Sequence, residues 1–142
     1  MSRPWLRHYD YWVPPHLTYP ERPLCQILDT VAAEIPARPA AAFLGAEISF
    51  REIKIRSDRF AVSLAEAGLV KGDRVGIMLP NCPQYMIAAF AVLRLGAVVV
   101  NINPTYTARE VLAVATDSGM CALITLDALA PLVTAVRAQT DI

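Results

Sequence analysis

Between Leu24 and Ile35 the apolar positions recur at helical spacing. Leu24, Ile27, Leu28, Val31, Ala32 and Ile35 stand at i, i+3, i+4, i+7, i+8 and i+11. Pro36 ends that pattern. The segment "PAAAFLGAEISF", residues 39–50, then predicts two short strands about a turn at Gly45. Ser49 and Glu52 have the spacing of a capping box, so a second helix starts there. Phe50, Ile53, Ser57, Phe60, Ala61 and Leu64 share one of its faces, and Gly68 supplies the stop.

Past Gly68 the period changes. "RVGIML" follows a "KGD" turn as a short continuous apolar run, the pattern of a strand covered on both faces. Pro83 falls in the first turn of the next helix, where its missing N–H costs nothing. That helix ends by Gly96, and "AVVVN" predicts another covered strand. Thr107 and Glu110 form a second capping box, and Asp117-Ser118-Gly119 closes the helix they begin. "CALIT" predicts a third covered strand, and Asp127 is placed to cap a last helix containing Pro131. Val75, Ile77, Val98, Val99, Leu123 and Ile124 are expected in central strands shielded on both faces. Strand alternating with helix defines the fold class as α/β, with a mostly parallel, helix-covered sheet. The chain stops just after a helix, where such a sheet would go on to a further strand.

The first residues are different. Seven of the eleven prolines lie within the first 39 positions, so residues 1–23 are expected to form an irregular arm and residues 24–142 an α/β domain. The arm carries Trp5, Tyr9, Tyr11, Trp12 and Tyr19. A solvated tail rarely holds so many rings, so the arm is expected to pack, on its own domain or on a partner subunit.

Composition narrows the function classes. Apolar residues make up 55% of the 142 and charged residues 18%, too apolar for disorder. Thirteen basic residues balance thirteen acidic ones, which leaves no electrostatic footprint for nucleic acid. The run "MIAAFAVLRLGAVVV" is broken by Arg94 and Gly96 and falls short of the about 20 apolar residues of a spanning helix. Nor does the start of the chain have the apolar core of a signal peptide. Cys25, Cys82 and Cys121 are odd in number and widely spaced, against a disulfide framework or a zinc site and in favour of a reducing compartment.

Chemistry in an open parallel sheet belongs at the carboxyl ends of the strands. Here these are residues 79–83, 101–107 and 125–127, where Asn81, Asn103, Thr105 and Tyr106 could bind a ligand. Asparagine and threonine before a helix are more often caps or turn formers, and that reading takes precedence for each. No phosphate-binding glycine motif and no nucleophile elbow is present. Gly68, Gly72 and Gly76 are evenly spaced but read as a helix stop, a turn and a small strand residue. His8 and His16 lie in the arm without an acidic partner in sight, and Glu52, Glu66, Asp73, Glu110 and Asp117 read as caps, solvated positions and a turn. On the residues alone no active site is identifiable.

The same residues resemble one family. An aromatic-initiated helix at Ser49-Phe50, "GLVKGDRV" at 68–75, "LPN" at 79–81, "GAVVVNINPTY" at 96–106 and "DSG" at 117–119 are similar, in order and spacing, to the N-terminal region of AMP-forming acyl-CoA synthetases. The arm "PWLRHYDYWVPPHLTYPERPL" resembles the start of the long-chain fatty acid branch. The resemblance covers nearly the whole chain and implies the first part of the large N-terminal domain of an adenylate-forming enzyme. It implies a ligase that joins fatty acid and CoA through an acyl-adenylate, with ATP, magnesium and CoA serving the complete enzyme. It further implies a cytoplasmic protein and a homodimer formed through the arm; peripheral attachment to a membrane stays open. The family's phosphate loop ending in Pro-Lys-Gly, its ribose-binding aspartate motif and its C-terminal lysine have no counterpart here and are expected beyond Ile142. No catalytic, cofactor-binding or metal-ligating residue is therefore assigned, and the isolated chain is expected to be inactive and to bind none of these cofactors. The alternative is a non-catalytic remnant acting as an interaction or acyl-binding domain.

Overall fold

The computed structural model describes residues 3–140 and 142. After the arm come α1 (Cys25–Glu34), the hairpin strands β1 (Pro39–Phe43) and β2 (Ala46–Ser49), and α2 (Phe50–Glu66). Then follow β3 (Arg74–Met78), α3 (Pro83–Arg94), β4 (Val98–Asn101), α4 (Ala108–Ser118), β5 (Ala122–Thr125) and α5 (Ala130–Arg137). β1 and β2 pair antiparallel; β3, β4 and β5 form a parallel sheet in the order β4-β3-β5.

That order follows from chain direction. β3 to β4 is a step to one side, and β4 to β5 doubles back across β3. With crossovers of one hand, steps in opposite directions place their helices on opposite faces. The packing agrees. Alternate residues of β3 point to opposite faces. Val75 and Ile77 enter a core with Ala61 and Leu64 of α2 and Ala88, Ala91 and Val92 of α3. Met78 enters a second core with Val111 and Ala115 of α4 and Val136 of α5. A third cluster, around Leu28, Ile48 and Ile53, joins α1, the hairpin and α2. Gly76 faces the α4–α5 side, where an added Cβ would stand 2.7 Å from Met120 Sδ and 2.9 Å from Leu123 Cδ1.

Both capping boxes form. The Ser49 N–H donates to the Glu52 carboxylate at 2.9 Å, and the Thr107 N–H to that of Glu110 at 2.8 Å. These backbone donors hold both carboxyls below their ordinary range. Gly119, at φ +61°, ends α4 in the left-handed conformation that glycine adopts without strain. The hairpin turns through Leu44 and Gly45, both at positive φ.

Within residues 24–142 three expectations change. Of the stripe predicted on α1, Leu28 and Ala32 are buried but Leu24, Ile27 and Ile35 are exposed. Leu24 and Ile35 cap the helix rather than belong to it, and Cys25 completes the buried face. Full shielding holds for Val75 and Ile77, not for Val98, which is 48% exposed, nor for the half-buried Val99, Leu123 and Ile124. β4 and β5 are the two edges of a three-stranded sheet, so only β3 has neighbours on both sides. Finally, Asp127 opens a 3₁₀ turn (Asp127–Leu129) rather than α5 itself. Pro131 has no N–H to give the Asp127 carbonyl, and the Ala130 N–H takes that carbonyl with 3₁₀ geometry instead.

The arm packs little against residues 24–142. It begins with a 3₁₀ turn over Pro4–His8 and continues without regular structure. Trp5, Trp12 and Tyr19 are 54%, 66% and 74% exposed, so residues 24–142 do not supply the cover expected for the rings. Among the described residues of the arm only Leu6 is even half-buried. The rings meet each other rather than the sheet: Tyr11 and Trp12 stack edge to face with centroids 4.8 Å apart. Met1, Ser2 and Asp141 lie outside the described residues.

Candidate functional site

The carboxyl ends of the three parallel strands lie side by side and are clamped together by side chains. Tyr85, in the first turn of α3, donates its hydroxyl to Asn101 Oδ1 at the end of β4, at 2.6 Å. Thr125, at the end of β5, donates its hydroxyl to the Met78 carbonyl of β3 at 3.0 Å. Pro83 begins α3 directly after the β3 exit loop, which brings Tyr85 over the sheet's end.

Beside this clamp a shallow groove of about 270 Å³ runs between the hairpin and α3. Ala41, Ala42 and Phe43 form one wall; Cys82, Tyr85 and Met86 form the other, with Asn81 at the rim. Its lining is mostly apolar, with Asn81 the lining residue that bears an amide side chain.

Of the candidates read from the sequence, Asn81 alone reaches this groove. Asn103 is a turn former: its Oδ1 accepts from the Thr105 N–H at 3.0 Å and from the Thr105 hydroxyl at 2.9 Å. Tyr106 is half-buried and packs against the α4–α5 core. Tyr85 and Asn101 escaped sequence reasoning. Their signal was a polar residue at the last strand position and a tyrosine in the first turn of the helix after the neighbouring strand.

The ionic groups gather elsewhere. Arg94 of α3, Asp29 of α1, and Lys54 and Asp58 of α2 form one cluster on the helical layer. Arg94 Nη1 donates to Asp29 Oδ2 at 3.2 Å, while Arg94 Nε lies 2.6 Å from Asp58 Oδ1, out of line for a hydrogen bond. Lys54 Nζ bridges Asp58 at 2.5 Å and Asp29 at 3.4 Å. The hydrogen bond from Arg94 holds the Asp29 carboxyl below its ordinary range, and the one to Asp58 raises Lys54. This cluster joins three helices away from the strand ends. Lys54 and Asp58 stand four residues apart on α2, the spacing at which helix side chains meet, whereas Asp29 and Arg94 join them only through helix docking.

Neither lysine stands at the strand exits: Lys54 is ion-paired, and the Lys71 stem packs beside Gly96, near the start of β4 and opposite those exits. Among the described residues no three His, Cys, Asp or Glu side chains cluster to hold a metal. His8 and His16 meet Arg7 and Arg3 within the exposed arm. Asp73 accepts from the Val70 N–H at 2.8 Å within its turn. The three cysteines are free, and no helix among the described residues is long and apolar enough to cross a membrane.

A parallel sheet with helices on both faces and its polar exits on one side is also the opening architecture of known enzymes. The chain superposes on a fatty acyl CoA synthetase of Mycobacterium tuberculosis with a TM-score of 0.77 at 30% identity, over 84% of this chain and 24% of that one. The fold is thus that of the N-terminal domain of an adenylate-forming enzyme. Residues 28–141 match the family model described as AMP-binding enzyme, and the chain belongs to that family. It is 40% identical to a long-chain-fatty-acid–CoA ligase of Bacillus subtilis over 92% of its length. It is 37% identical to a ligase of the same name from Salmonella typhimurium over its whole length. These matches take up 23% and 26% of the relatives, so the chain spans about a quarter of the proteins it resembles.

Proposed function

We propose that the chain supplies the opening α/β unit of a long-chain fatty acid–CoA ligase, and that it does not activate a fatty acid by itself. The observation that carries this is the match along the whole chain to ligases four times its length, which leaves about three quarters of those proteins without a counterpart in these residues. In the complete enzyme fatty acid, ATP and CoA would be the substrates, with magnesium at the phosphates. A carboxylate is a poor electrophile until its oxygen becomes a good leaving group. Adenylation achieves that, and it needs cations and N–H donors around the phosphates. The residues present here contribute the scaffold: a sheet whose exits are fixed by the Tyr85–Asn101 and Thr125–Met78 hydrogen bonds. A cytoplasmic location and dimerisation through the arm belong to the same proposal, the latter supported by the exposed rings of Trp5, Trp12 and Tyr19.

The test is ATP–pyrophosphate exchange with a long-chain fatty acid and magnesium. The purified 142-residue chain is compared with a full-length relative. The expected result is exchange by the relative and background for the chain. Exchange that co-purifies with the chain overturns the proposal.

A further inference from the structure

We draw no further inference here: the strongest candidate, the exposed aromatic face of the N-terminal arm around Trp5, Trp12 and Tyr19, carries nothing beyond the reading above, because nothing in the structure shows what covers it.

Discussion

Arg94 Nη2 stands 2.5 Å from Asp29 Oδ1, across 65 positions of sequence. The contact fastens α1, and through it the base of the arm, to α3. Lys54 and Asp58 close the ring from α2, so three helices share four charges of balanced sign.

Asp29→Asn is expected to lower stability by about 1 kcal/mol near neutral pH, since these side chains are about one-third exposed and solvent screens the pair. The pH dependence has a definite sign. The folded pKa of Asp29 is lowered from its ordinary value of 3.8, so the contribution is fully present above that value. It is lost as pH falls through the folded pKa. Urea unfolding of parent and variant at neutral pH and at about pH 3 measures this. The gap between them should narrow in acid; a gap independent of pH means that the charge is not its source.

Ile77 and Val98 are both apolar strand residues, yet they should respond differently. Ile77 is fully enclosed in the middle strand, and Ile77→Ala should cost about 2–5 kcal/mol. Val98 opens an edge strand half in solvent, and Val98→Ala should cost about 0.5 kcal/mol or less. Equal losses in chemical denaturation would contradict the strand order.

Gly76 is small because of what lies above it. A branched side chain there meets Met120, Leu123 and Ile102. Gly76→Val should destabilise by about 1–3 kcal/mol through overpacking, and Gly76→Ala by less, because Met120 can yield. A thermal melt of Gly76→Val that matches the parent would show that the α4–α5 layer moves freely off the sheet.

Removing residues 1–22 should leave the α/β unit close to its parent stability, within about 0.5 kcal/mol, since the arm buries almost nothing on it. In the full-length protein the same deletion should turn a dimer into a monomer, as read from mass in solution. An unchanged oligomer removes the arm from the proposed subunit contact.

Local rules made much of this fold legible. Both capping boxes, the turn at Gly45, Pro83 at the start of α3 and the left-handed Gly119 each depend on residues within a few positions, and each is present. What escaped depends on distance in sequence. Which strand is central is set by pairing, so Val98 and Val75 looked alike until β3 was seen between the other two. Tyr85 meets Asn101, and Arg94 meets Asp29, only once the helices are docked. The arm is a different case: aromatic content signals surface that favours cover, and says nothing of which surface provides it.

The strand order also sets a schedule. β3 pairs with β4 across a single intervening helix, but its other edge waits for β5, whose register joins Val75 to Ala122 and Met78 to Thr125. The second pairing closes a loop that contains the first, at a greater entropic cost. As the chain leaves a ribosome, one flank of β3 therefore stays bare until Ala122–Thr125 emerge. During that interval its unbonded amides form a template for any extended strand nearby. Pulse-labelled hydrogen exchange should find the β3–β4 bonds protected first and the β3–β5 bonds last.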